Sequence, residues 1–443
     1  MGMLGTLNAN SKEVLILGGG FSGLLSAWHL AHLGWKVDLV EGNDRLGGLI
    51  STQADELGLT EAAAHSFLVT ESVRDFCEQL KVPLVSIRKN SRSRYIVRNG
   101  KPRRFPLRWF ELLDLVGSVL SKRADANHSD QADDLTVQQW ADYYLGKPAL
   151  EYLLNPMIRG IYAARPSELE VRTAFPKLNL SEGESVFALP RKRKSRTPSS
   201  GGRAQMMAPA FGMQSIIDAM IRDLRANPSV TLRTQMKVSS LEDFQGPNLI
   251  VILPAYSLSR IFAVDSQLEE ASACARVNYA PLISVTAFVK TAAFDRLPRG
   301  VGTLVPEFEE LNGWKALGVL YNSASFPNRV KDESKIASFT LMFGGTAHPE
   351  HFSWDEDELR SEVIKTLERI FDSDRVGQNL IAIKAQRWGQ AIPVHDRELR
   401  VARETLARTF CAKPGRVVFG NWTGEVSLRG MMETWSALRN SLT

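Results

Sequence analysis

Three hydrophobic patterns take turns along the chain. Val14–Leu17 and Leu249–Leu253 are short, continuous apolar runs, as expected of strands covered on both faces in a parallel sheet. Helical spacing marks Val73, Phe76, Cys77 and Leu80 within 71–81, and again Ile216, Ile217, Met220, Ile221 and Leu224. Strict alternation marks Ile283, Val285, Ala287 and Val289, and ALGVLY and IASFTLMF continue that sheet pattern. Ser353-Trp-Asp-Glu356 has capping-box spacing ahead of a helix bearing Leu359, Val363, Leu367 and Ile370. VTLRTQMKVSSLE reads as a strand-pair region, and RYIVRNGKPRRFP as a hairpin turning at Asn99-Gly100. RVVFGNWTG reads as strand then turn, followed by a helix over 427–438 whose N-terminus faces the ligand of the first turn. Between these lie an apolar helix, LRWFELLDLVGSVLS, readable as core or as a face against lipid, and two polar stretches, 121–134 and the basic 191–203. The order of patterns predicts an α/β chain. A Rossmann-like dinucleotide-binding domain in three pieces (1–82, 205–265 and 385–443) is interrupted by a helical insertion (83–204) and a mixed-sheet substrate domain (266–384).

The first apolar run leads into Gly18, Gly20 and Gly23, spaced G-x-G-x-x-G at the start of a helix. The first glycine permits a tight turn, the second lets backbone approach a pyrophosphate, and the third lets helix and strand pack closely. Lys36–Val40 reads as the next strand and ends in Glu41, placed to accept hydrogen bonds from a ribose hydroxyl. A nicotinamide site needs no second glycine pair, yet one follows in Glu41-Gly-Asn-Asp-Arg45-Leu-Gly-Gly48. That segment resembles the extended fingerprint of FAD-binding oxidases, which implies Arg45 and Gly48 beside the diphosphate and the ring system.

Composition narrows the class. Of 443 residues, 44% are hydrophobic and 23% charged, as in soluble globular proteins. The net charge of +5 fits an anionic substrate or an anionic membrane surface. No nucleic-acid partner is expected, since zinc-finger, helix-turn-helix and RNA-binding patterns are lacking. Cys77, Cys274 and Cys411 are far apart and odd in number, which points to a reducing, cytoplasmic setting. The N-terminus does not read as a signal peptide, and no apolar run is long enough to span a bilayer. The apolar helix and the basic stretch make peripheral membrane association the expectation, and a homodimer is admitted. His348-Pro-Glu-His351 places two histidines three apart without further ligands in the adjoining sequence; it reads as a loop entering a helix, and no metal is expected. His65, just past the fingerprint, is a cofactor candidate against the ordinary reading of a structural histidine.

Larger motifs carry a second resemblance. YLLNPMIRGIYAARPSELEVRTAFPKL (152–178), GTLVPEFEELNGWKALGVLYNSASFP (302–327), the segment Trp388–Pro393 and FGNW (419–422) are similar to the protoporphyrinogen oxidase family of the flavin amine oxidase superfamily. The resemblance covers nearly the whole chain. It implies FAD contacts at Gly18, Gly20, Phe21, Ser22, Gly23, Glu41, Arg45, Gly48, Val238, Trp388 and Gly420, with Ala63, Ala64, His65, Asn421, Val426 and Ser427 at the same cofactor. It also implies substrate contacts at Arg94, on a propionate, and at Gly160, across the pocket from the flavin. The implied reaction is oxidation of a porphyrinogen, protoporphyrinogen or coproporphyrinogen, with O₂ reoxidising the flavin and no side-chain general base. A different flavin amine oxidase or desaturase, or a non-catalytic flavin- or porphyrin-binding homologue, stays open beside it. Two departures stand out. Glu61-Ala-Ala63-Ala64 replaces the family's E-x-G-P, and the segment from Gly424 to Gly430 replaces G-V-G-x-P-D-C.

Overall fold

The computed structural model describes residues 3–104, 135–178 and 204–442, apart from 243, 245, 297–298 and 425. The apolar helix expected at 107–121, the polar stretch 121–134 and the basic stretch 191–203 lie outside the described residues.

The apolar runs build a six-stranded sheet in the order Met3–Leu4, Arg416–Phe419, Leu249–Val251, Glu13–Leu17, Lys36–Val40, Val230–Arg233. Its five long strands are parallel, and Met3–Leu4 closes one edge antiparallel. Helices cover both faces, which is why these strands need no polar side. Helix Phe21–His32 packs with helix Gln214–Ala226 through Leu24, Trp28, Ile217 and Met220, and the C-terminal helix Leu428–Leu442 adds Trp435. Leu258, Phe262, Leu399 and Leu406 fill the opposite side. The expected strand pair after residue 229 is one strand, Val230–Arg233; it pairs with Lys36–Val40, and the described residues 234–242 form no ladder.

A seven-stranded sheet runs Leu380–Pro393, Tyr279–Lys290, Ile336–Gly344, Gly318–Tyr321, Gly302–Leu304, Arg94–Arg98, Lys101–Arg104. The alternation divides its faces. Ile283, Val285, Phe339 and Leu341 bury against Leu359, Val363 and Leu367 of helix Glu356–Phe371. The other face, with Leu282, Ser284 and Met342, looks into a large cavity. The hairpin turns at Asn99-Gly100 in left-handed geometry, φ 52° and 72°. It joins this sheet through a parallel pairing of Arg94–Arg98 with Gly302–Leu304, so it does not belong to the helical insertion that the sequence placed around it. Strand Leu380–Pro393 likewise stays in this sheet past residue 385. The capping box falls two residues later than its expected position. Asp355 and Glu358 exchange the reciprocal bonds, because 349–353 already forms a 3-10 turn and Ser353 Oγ donates to the Glu350 carbonyl.

Candidate cofactor and substrate cavity

A cavity of about 1130 Å³ runs from the carboxyl ends of the parallel strands to the face of the seven-stranded sheet that carries Leu282, Ser284 and Met342. That exceeds the roughly 300–1,000 Å³ of an ordinary small-molecule pocket, so there is room for a long cofactor and a substrate together.

One end is built from the two glycine pairs, which lie against each other. Gly47 N–H donates to the Gly19 carbonyl at 2.8 Å, and Gly20 and Gly47 form a parallel bridge. Gly48 has φ +60°, and a Cβ there would stand 3.0 Å from the Gly20 Cα. A side chain on Gly23 would meet the Gly18 carbonyl oxygen at 1.9 Å, so Gly23 serves helix packing and does not line the cavity. Glu41 is anchored beside this floor. Its Oε2 accepts from Gly19 N–H at 2.7 Å, and its Oε1 accepts from the Asn43 backbone and side-chain amides at 2.9 Å each. A carboxylate has about four acceptor positions, so one on Oε2 remains.

Gly18, Gly20, Phe21, Ser22, Glu41, Gly48, Ala63, Ala64, Val238, Trp388, Gly420, Asn421, Val426 and Ser427 all line this cavity, as does Gly160. Three other candidates besides Gly23 do not. Arg45 turns inward on its own loop, donating to the carbonyls of Leu46 at 3.1 Å and Ile50 at 2.9 Å and to that of Gly48. It shapes the second glycine pair without facing the cavity, because three convergent carbonyls satisfy its guanidinium locally. His65 points the other way, into a small cavity shared with Glu61, Asn322, Ser325 and Arg329. Burial, with Arg329 adding to it, holds His65 down at about 4. In the same cluster burial raises Glu61 against the hydrogen bonds from Thr52 and Met213 and the Arg329 charge 3.6 Å away. Arg94 begins its strand exposed and outside the cavity lining, on the sheet face that also carries Ser284 and Met342.

The sequence reading missed the sheet's contribution: Leu282, Ser284, Met342, Gln390 and Ile392 all face the cavity. The signal was present, since Leu282 and Ser284 alternate out of phase with the core positions Ile283 and Val285. Tyr256 and Arg260 were missed too; they lie on helix Ala255–Val264, whose start follows strand Leu249–Val251. Trp388 is fixed by its ring N–H, which donates to the Ala62 carbonyl at 2.9 Å.

The glycine floor, the anchored acid at the end of the second parallel strand and the wall from a second sheet together fit FAD. Residues 21–434 match the family of flavin containing amine oxidoreductases, and the chain belongs to that family. It is an FAD-dependent oxidoreductase. Along 95% of its length it is 25% identical to protoporphyrinogen oxidase 2, chloroplastic/mitochondrial, of Arabidopsis thaliana, covering 91% of that protein. It is 26% identical to protoporphyrinogen oxidase of Macaca fascicularis over 76% of this chain and 78% of that one. Among solved structures, a protein of Exiguobacterium sp. 255-15 provisionally named protoporphyrinogen oxidase superposes with a TM-score of 0.73 at 16% identity, covering 98% of both chains. A putrescine oxidase variant superposes with a TM-score of 0.68 at 14% identity over 97% of this chain and 98% of that one. No helix among the described residues is long and apolar enough to cross a membrane.

Proposed function

We propose that the protein oxidises a porphyrinogen to the corresponding porphyrin, with O₂ as the final electron acceptor. The observation that carries this reading is the character of the sheet end of the cavity. Its wall there is Leu68, Ile161, Leu282, Met342 and Ile392, with Ser284 and Gln390 as neutral polar groups. Among the described lining residues the one acid is Glu41, at the opposite end and tied to Gly19 and Asn43. A cationic amine would enter a site with no carboxylate to pair with it, which is costly. A large neutral ring system suits such walls, and carboxylates on its edge remain in water at the rim. The relatives' names supply the substrate class; protoporphyrinogen ranks ahead of coproporphyrinogen on those names alone.

The residues divide the work. Gly18, Gly20 and Gly48 let backbone approach the cofactor's diphosphate region, Glu41 offers its remaining acceptor position to a ribose hydroxyl, and Trp388 and Ala62–Ala64 wall the redox end. Gly160, in helix Asn155–Tyr162, lines the cavity opposite; a Cβ there would press on the Leu304 side chain at 2.8 Å, so the glycine lets this helix pack close on the sheet. Arg94, on the cavity-side face of the sheet, is the candidate anchor for a substrate carboxylate outside the mouth. Bound FAD supplies two-electron acceptance, which no side chain here offers. Conversion to the aromatic ring removes six electrons and six protons in three rounds, matched by three O₂ reduced to three H₂O₂.

Purified holoprotein mixed in air with freshly reduced protoporphyrinogen or coproporphyrinogen is followed by porphyrin fluorescence against a no-enzyme control. The expected result is enzyme-dependent porphyrin with matching peroxide. No acceleration with either ring, alongside turnover of an aliphatic diamine, overturns the reading.

A further inference from the structure

The fold adds to His348-Pro-Glu-His351 a set of contacts that the sequence alone does not reveal. Pro349–Ser353 is one 3-10 turn, with His351 N–H donating to the His348 carbonyl at 3.2 Å. The turn stacks the two imidazoles, centroids 4.8 Å apart and planes within 8°, and His351 lies on Trp354 at 3.9 Å. The Glu350 carboxylate sits against both: Oε1 is 2.8 Å from His348 Nδ1 and 3.8 Å from His351 Nε2. One ligand atom from each of the three residues lies within 4.8 Å of the others. Ligands 2.0–2.2 Å from a tetrahedral Zn²⁺ are about 3.4 Å apart, a spacing these distances bracket.

Two further observations point to a ligand. The far nitrogen of His348, Nε2, is 2.9 Å from Glu310 Oε2, and Glu310 is itself ion-paired to the buried Arg159. Metal-binding histidines characteristically give their second N–H to a carboxylate, which fixes the tautomer that leaves the other nitrogen free to coordinate. His351 is only 6% exposed, and its Nε2 faces Glu350 Oε1 at 3.8 Å, beyond hydrogen-bond reach. An ion between that nitrogen and the carboxylate would join two groups that do not reach each other directly.

We propose that His348 Nδ1, His351 Nε2 and the Glu350 carboxylate bind one divalent transition-metal ion, Zn²⁺ by the imidazole–carboxylate donor set, with a fourth position open to water. The Glu350 side chain is 62% exposed, which gives the ion a path in from solvent. The site is a staple. Thr346, two residues before it, donates its N–H to the Ala163 carbonyl at 2.8 Å, and Arg159 lies in the helix that presents Gly160 to the cavity. An ion on His348 therefore stiffens the seam between that helix and the seven-stranded sheet.

Tag-free holoprotein is titrated with ZnCl₂ by calorimetry, and retained metal is measured after desalting, with FAD content as the check on folding. One Zn²⁺ per chain is expected, with a rise in melting temperature. Glu350→Gln, on an exposed side chain, and His351→Gln should each weaken binding about tenfold or more; Glu310→Gln should weaken it without changing stoichiometry. Failure to bind Zn²⁺ at about 100 μM, far above a structural site's working range, overturns the proposal. So does unchanged affinity in Glu350→Gln, which remains informative if His351→Gln does not fold.

Discussion

Replacing Glu41 by Gln tests the dinucleotide end of the cavity with little change of shape. In the wild type the carboxylate takes three donors, Gly19 N–H at 2.7 Å and two from Asn43 at 2.9 Å, and keeps one acceptor position on Oε2. An amide can face its oxygen to Asn43 or to Gly19, not to both. If the oxygen serves Asn43, the NH₂ group meets Gly19 N–H, donor against donor, and the ribose hydroxyl loses its acceptor. A hydrogen bond to a charged partner contributes about 1.5–3 kcal/mol, so the FAD dissociation constant should rise about 10- to 100-fold. The same change loosens Gly19, whose carbonyl receives Gly47 N–H at 2.8 Å, so the apoprotein should also melt earlier.

The assay separates these two effects. Apoprotein is titrated with FAD by quenching of flavin fluorescence, and melting is followed with and without FAD. Asp44→Asn is the control. It removes the same charge from an exposed position three residues along, outside the cavity lining, and should leave the dissociation constant unchanged. An unchanged constant in Glu41→Gln, or an equal effect in Asp44→Asn, would show that the carboxylate acts only through net charge or not at all.

Arg45→Ala should release the 46–50 loop from its three carbonyl contacts and speed FAD dissociation about tenfold, with Arg45→Lys recovering only part; stopped-flow release of FAD measures both, and a wild-type rate in Arg45→Ala would show that the loop holds FAD without Arg45. Arg94→Ala should raise KM for a porphyrinogen about tenfold while kcat changes little, because a carboxylate edge is bound alike in ground and transition states. Lys101→Ala, exposed on the partner strand, is the control for that measurement; Arg98 is unsuitable because it stacks on Tyr152 at 3.8 Å. Burial holds His65 and His395 neutral, at about 4 and about 3 against an ordinary 6.5, each with an arginine nearby adding to the effect. The unfolded chain binds protons that the folded chain refuses, so this stability is full above pH 6.5 and drains as pH falls, by up to about 1.4 kcal/mol per pH unit per group. Melting temperature should therefore drop between pH 6.5 and 4, and His395→Asn should flatten the slope; a flat wild-type profile refutes the assignment.

What could be read in advance follows physical period and sign. Val14–Leu17 and Leu249–Val251 are buried on both faces, so their burial is written in composition alone. Ile283, Val285 and Ala287 announced one face of the second sheet, and the same period marked Leu282 and Ser284 as the other face. That this second face looks into a cavity depends on a domain arrangement that no local pattern encodes. Arg45 shows a different limit. Its residue type and place fit a phosphate, but carbonyls one, three and five residues along compete for the same donors and win. His65 was placed by proximity in sequence, yet the backbone carries Ala63, Ala64 and Ser66 to the large cavity and turns the imidazole to the small one. The capping box slipped because Ser353 was already bonded within the preceding turn.

The double-alanine departure is best understood through the segment that leads to it. Residues 55–62 are fastened to the seven-stranded sheet, to the loop that carries Arg329 and Lys331, and to the start of helix Gln214–Ala226. Asp55 is ion-paired with Lys384 of strand Leu380–Pro393. Leu59 N–H donates to the Arg329 carbonyl at 3.0 Å, and Lys331 N–H to the Leu57 carbonyl at 3.1 Å. Gly58, at φ +151°, lets the two backbones meet, since a Cβ there would stand 2.3 Å from the Arg329 carbonyl oxygen. Glu61 is buried against Arg329 and receives bonds from Thr52 and from Met213 N–H, and the Ala62 carbonyl receives the Trp388 ring N–H. A proline restricts a loop by removing conformations from the chain itself. Here restraint comes from outside, through contacts to residues about 150 to 330 positions away along the chain. Ala63 and Ala64 can therefore hold a fixed wall of the cavity without the family's dipeptide, and the rigidity of that wall depends on the Glu61–Arg329 pair and on the strand that carries Trp388.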